Sequence, residues 1–216
     1  MKKELEQRSY NFEIRAEENV NSNGLRTIVG RPIVYNSRTD IGYYDEIIET
    51  GALDSTDLTD VRFLVNHDLS RIPLARSRRN NANSTLRLKP DYEGMMIETD
   101  LDVENNMTSR ELVSAVDRGD VSGMSFMFSV DEERWEDLES DHPTRHIVKI
   151  GSIVEISAVT FPAYESTEIY ARSKAALDNA RLTLENARKE TRSDSVDTEK
   201  ELELLKEKTK LLTKVR

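Results

Sequence analysis

The chain has no cysteine and only three histidines, so covalent catalysis has few carriers here. A serine paired with a histidine is the most economical, because a neutral imidazole near pH 7 takes a hydroxyl proton better than any other side chain present. Two distant segments supply such a pair. Val65-Asn66-His67-Asp68 closes an apolar strand with a histidine, and the run from Gly119 to Phe128 sets Ser125 in a hydrophobic strand. In an extended strand Met124, Phe126 and Phe128 project to one face and Ser125 and Met127 to the other. Three large apolar side chains then anchor the strand while the hydroxyl is held on the opposite face. Gly123 permits close backbone approach or a positive φ, which a region gathering amide donors for an oxyanion requires. The ordinary alternative is a strand serine bonded to its neighbour, and Ser122 and Ser129 compete for the same role. For His67 the alternative is a surface turn capped by Asn66 or Asp68.

Glu155 interrupts the apolar run from Ile153 to Phe161. A carboxylate in such company is costly unless paired, and a histidine is one natural partner, since a carboxylate fixes the ring's tautomer and stabilises the imidazolium. The alternation also allows a solvent face carrying Glu155 and Ser157. His142 and His146 stand four apart, a metal-ligand spacing on a helix. Pro143 lies between them and residues 145–148 read as strand, so the helical premise fails. A metal-assisted hydrolase built on His67, Asp68, His142 and His146 is kept as a distant rival.

These residues need a scaffold. Over roughly residues 10 to 170 the sequence reads as short strands: 12–15, 27–29, 32–35, 61–65, 85–88, 95–98, 124–130 and 146–150, separated by Asn-, Asp- and Gly-bearing turns. A helix is expected over Ser109–Val116, ending near Gly119, with a weaker turn at Gly51–Ser55. Many short strands with one or two helices predict an α+β, mainly β domain, a small barrel or sandwich. Beyond Tyr170 the pattern changes. Leu177, Ala180, Leu184 and Ala187 form a narrow helical seam, Ser193-Asp194-Ser195 breaks it, and Thr198-Glu199-Lys200-Glu201 reads as a capping box opening a second helix. The expected organisation is an N-terminal extension over 1–9, a domain over 10–171 and a charged helical tail over 172–216.

The net charge is −10 over 216 residues. The tail holds 12 basic and 9 acidic residues, which leaves the body with 19 basic and 32 acidic and a net −13. Such a body repels polyphosphate, so nucleic acid is not an expected partner. No long uncharged apolar run is present, so no membrane span is expected. The first residues lack the apolar stretch of a secretory signal. Absence of cysteine removes disulfides and thiolate metal sites and agrees with a cytosolic setting.

Six segments in one order carry a resemblance: Gly30–Asn36, Glu49–Asp54, Leu64–Asp68, Thr85–Leu88 with Asp91–Gly94, Gly123–Phe128 and Glu155–Tyr164. Together they resemble the prohead (capsid maturation) serine proteases of tailed bacteriophages, over roughly Gly30 to Thr167. The resemblance implies a compact β-barrel with a few surrounding helices, like that of the herpesvirus assemblins. It makes Ser125 the nucleophile and His67 the general base, with Glu155 as the third member and His146 as the alternative, by analogy with the second histidine of the assemblins. The possible oxyanion region is near Gly123, and no cofactor or metal is implied. It further implies a serine endopeptidase that cuts the scaffolding segment from the major capsid protein precursor inside the procapsid, in the host cytoplasm, and also cuts itself. The C-terminal helices would then mediate co-assembly or self-association, and residues 192–195 would be an exposed linker for self-cleavage. The competing account is a non-catalytic capsid assembly or scaffolding component with a degenerate Ser/His pair.

Overall fold

A computed structural model describes residues 5–10, 14–21, 23–78, 84–160, 177–191 and 206. Among these residues, with Lys206 set apart, eleven strands and two helices follow in order: β1 (Glu6–Tyr10), β2 (Ile14–Val20), β3 (Arg26–Val34), β4 (Thr39–Asp40), β5 (Asp45–Ile48), β6 (Asp60–Val65), β7 (Ala75–Arg78), β8 (Leu86–Pro90), β9 (Gly94–Leu101), α1 (Met107–Asp117), β10 (Gly123–Glu136), β11 (Thr144–Val159) and α2 (177–191). The mainly β expectation is met, but the barrel is not. The strands form two open sheets, one running β1-β10-β11-β5-β4 with β6 beside β11 and β7 beside β6, the other β2-β3-β9-β8. Where β7 approaches the start of β8 the junction is made by side chains. The Arg76 and Arg78 amides donate to the hydroxyls of Thr85 and Ser84 rather than to a backbone ladder.

The long antiparallel pair β10–β11 is the spine. β11 has 16 residues and pairs in parallel with β5 near its start and with β6 near its end. Met124, Phe126 and Phe128 of β10, Ile153 and Ile156 of β11 and Phe63 of β6 enter one core with Ile28, Ile33, Met95 and Ile97 of the smaller sheet. α1 adds Leu112, Val113 and Val116 to that core, at the i, i+1, i+4 spacing of an amphipathic face. Asn106 caps it, accepting from the Thr108 and Ser109 amides. It ends at Asp117, and Gly119 (φ 77°) gives the left-handed turn just beyond the Arg118 cap, near where the sequence predicts the end.

Two boundaries differ from expectation. Residues 6–10 are not an extension: β1 is an edge strand of the larger sheet, antiparallel to β10. The seam of α2 is not left free either, because Ala180 and Leu184 bury against Ile41 and Tyr44, with Trp135 and Leu138 alongside. Arg188 fixes the same helix by donating to the Leu138 and Ser140 carbonyls. The 192–195 break and, Lys206 apart, the second tail helix lie outside the described residues.

Candidate active site

β6 runs parallel to β11 with Ser157 beside Leu64 and Ala158 beside Val65. The Asn66 amide continues that ladder to the Ala158 carbonyl. Then the chain turns sharply: Asn66 (φ 52°) and His67 (φ 59°) both adopt left-handed backbone, which costs a non-glycine residue about 1–2 kcal/mol. Side chains hold the turn. Asn66 Oδ1 accepts from the Thr160 amide (3.0 Å) and the His67 amide donates to Ser157 Oγ (3.1 Å). The turn folds the imidazole back over β11, where His67 Nδ1 meets Glu155 Oε1 at 2.5 Å.

Glu155 is fully buried, and its second oxygen accepts from Ser157 Oγ at 2.6 Å. His67, Glu155 and Ser157 thus close a ring of hydrogen bonds. A register shift between Met127 and Phe128 lets Glu155 and Ser157 face the site while Ile153 and Ile156 face the core. Such bulges re-aim side chains at functional sites. One atom is left over: His67 Nε2 is buried with no hydrogen-bond partner among the described residues. With Nδ1–H donated to the carboxylate, Nε2 is the nitrogen with a free lone pair, the configuration of a general base.

Ser125 lies directly across from Ser157 on β10, with Cα atoms about 5 Å apart for such a pair. It therefore shares the face of the His67–Glu155–Ser157 ring, one strand away. Its hydroxyl is fully buried and engaged on its other side. Ser125 Oγ donates to the Arg8 carbonyl at 2.6 Å and accepts from Ser9 Oγ at 2.8 Å, both on β1. No hydrogen bond joins Ser125 to His67 in this arrangement.

The other candidates are placed elsewhere. His146 sits nine residues from Glu155 along β11, against Glu49 (3.0 Å) and Glu136 (3.3 Å). His142 is exposed beside Asp45 (3.2 Å) and Asp40. The donors of the metal-hydrolase rival are thus not brought together, and the one grouping of metal-ligand type among the described residues is Asp40, Asp45 and His142. Ser122 is exposed and Ser129 bonds to Ser152. Gly123 is extended, buried and paired with Val159, without the positive φ the sequence allowed. A groove of about 580 Å³ opens beside the His67 turn, lined by Val65, Asn66, Ile72 and Leu74 and by Met107 and Glu111 of α1.

Sequence reasoning missed two contributors. Ser157 was visible only as a possible companion of Glu155 on a solvent face. Ser9 lay in a segment with no apolar alternation to mark it as strand.

No curated protein matches the chain. Among solved structures it is similar to the bacteriophage T4 capsid assembly protease, gp21, at 11% identity and a TM-score of 0.44, over 75% of this chain and 100% of that one. A family profile described as caudovirus prohead serine protease matches residues 10–181, a wider span than the six segments and one that reaches into α2. With about four fifths of its length matched, this chain belongs to the caudovirus prohead serine protease family.

Proposed function

We propose that the chain is a serine endopeptidase that removes the scaffolding segment of the phage major capsid protein precursor, and also cuts itself, inside the procapsid in the host cytoplasm. The supporting observation is the buried His67–Glu155 contact with Nε2 left unpartnered, on the sheet face that carries Ser125. In the first step Ser125 Oγ bonds to the scissile carbonyl carbon and its proton passes to His67 Nε2. Glu155 stabilises the imidazolium through Nδ1–H. The C–N bond then breaks as the departing amine takes the proton from Nε2, leaving an acyl ester on Ser125. Water, deprotonated by the same nitrogen, hydrolyses that ester. Amides near Gly123 are the proposed oxyanion donors, and the groove beside the His67 turn is proposed to receive substrate side chains. No cofactor enters this chemistry, and the acidic body fits a protein substrate rather than nucleic acid. No described helix is long and apolar enough to cross a membrane.

The test is processing of the capsid precursor, followed by mass spectrometry. Wild type should release the scaffolding segment and shorten itself, whereas Ser125→Ala and His67→Ala should lose about 10^4-fold or more in turnover. Processing by Ser125→Ala at the wild-type rate would remove Ser125 from the mechanism, and no processing by wild type would replace this reading with the scaffolding one, which the absent Ser125–His67 hydrogen bond favours.

A further inference from the structure

β1 has two faces of different character. Gln7 and Ser9 alternate with Glu6 and Arg8, and the second pair enters a buried charged cluster. Arg8 grips Glu46 through two hydrogen bonds (2.5 and 2.6 Å) and Glu6 at 2.7 Å. Arg145 grips Glu6 through two more (2.6 and 2.8 Å), Glu46 at 3.0 Å, and Glu133. On its other face β1 brings the Arg8 carbonyl and the Ser9 hydroxyl against Ser125. The nucleophile is therefore flanked in the sheet: a peptide carbonyl from β1 on one side, the base and its carboxylate across β11 on the other.

We infer that the β10 edge covered by β1 is the enzyme's own peptide-binding edge, held by β1 as an internal occupant until an extended substrate segment replaces it. The inference rests on Ser125 being the nucleophile. Three observations carry it. An extended chain already pairs there antiparallel, with a carbonyl oxygen 2.6 Å from the catalytic hydroxyl. That hydroxyl donates its proton to the Arg8 carbonyl, so the base cannot accept it, and Ser125 has no exposed surface for another ligand. The occupant is also built to leave. It is a five-residue edge strand with a single neighbour, and its anchors form a neutral pair, Glu6 with Arg8. Withdrawal removes one charge of each sign and leaves Arg145 joined to Glu46 and Glu133, so no buried charge is stranded. An incoming strand satisfies the same edge of β10 by main-chain hydrogen bonds, the general mode of strand addition.

Full-length protein tests this through the rate at which a fluorophosphonate labels Ser125. The double variant Glu6→Gln/Arg8→Gln weakens the anchors and should label about tenfold faster or more, because reactivity scales with the open fraction. Conversely, Gln7→Cys/Met127→Cys places two thiols on directly opposite residues of β1 and β10, in a chain that otherwise has none. Its oxidised form should label about tenfold more slowly, or worse, than its own reduced form, which also controls for folding. Equal labelling of oxidised and reduced forms, with the double variant at the wild-type rate, would overturn the inference and leave the serine protease reading standing. No labelling of Ser125 in any form, the double variant included, would sink both.

Discussion

Two buried polar clusters lie on opposite faces of β10, and they are built differently. In the Arg8–Glu6–Glu46–Arg145–Glu133 cluster every charged group has an opposite partner, and no polar atom is left without a hydrogen bond. In the His67–Glu155–Ser157 ring two members are fully satisfied, while the third keeps a buried nitrogen with nothing to bond. An unsatisfied buried polar atom costs about 1–3 kcal/mol, so its persistence needs a reason. A complete network fixes structure. An incomplete one, closed on every side but one, presents a group to a reactant that arrives later.

The sharpest way to break that contrast is at the carboxylate. Glu155→Gln keeps the shape of the ring but removes the charge that supports an imidazolium, and it allows the wrong tautomer. Turnover should fall about 10^3- to 10^4-fold with little change in substrate affinity. His146→Ala removes a ring whose polar partners are Glu49, Glu136 and Arg134, and should stay within a few-fold of wild type. Single-turnover cleavage of the capsid precursor measures both. Equal losses in the two variants would leave the proposed third-member role of Glu155 no better supported than that of His146.

The complete cluster should respond in stability instead. Arg145→Met leaves Glu46, fully buried, with Arg8 alone, and strips Glu6 of two hydrogen bonds. Breaking a buried ionic network by removing one partner costs about 3–5 kcal/mol. For a chain of this size that is roughly a 10 °C fall in the thermal midpoint, readable by calorimetry. A fall of only a degree or two would mean that water reaches the cluster and screens it.

The same contrast explains what could be read from the chain beforehand. β10 and β11 were legible because Met124, Phe126, Phe128 and Ile156 alternate cleanly with smaller or polar residues. α1 was legible from its apolar spacing and its Gly119 stop. Glu155 stood out because one carboxylate in an apolar run demands a partner, although periodicity could not say which histidine would answer. β1 was invisible for the opposite reason. Its inward face is Glu6 and Arg8, which pair with one another but are accommodated in the interior only by Glu46 and Arg145, partners 38 and 139 positions away from the groups they bind. Closure into a barrel was one of two readings of the many short strands, with a sandwich, and the family likeness then favoured it, but no local pattern reports whether β7 and β8 share a ladder. The αL turn at Asn66–His67 was likewise hidden, since a bond from the Thr160 amide and one to the Ser157 hydroxyl stabilise it rather than a local glycine.

Acid offers the gentlest probe of how β1 is attached. Burial alone pushes the Glu6 carboxyl up, but Arg8 and Arg145 outweigh it and hold the group at about 2, against an ordinary value of 4.5. The folded value is the lower one, so the stabilisation is fully present above the unfolded value of about 4.5 and is lost as pH falls from there towards 2. At ~1.4 kcal/mol per pH unit, roughly 2 kcal/mol should have gone by pH 3. Other carboxylates titrate in the same range, so the informative quantity is the stability gap between wild type and Glu6→Gln. That gap should narrow by roughly this amount between pH 6 and pH 3 in denaturant unfolding. A gap that stays constant would mean Glu6 carries no special charge coupling, and β1 would then be held by its backbone ladder rather than by the arginines beneath it.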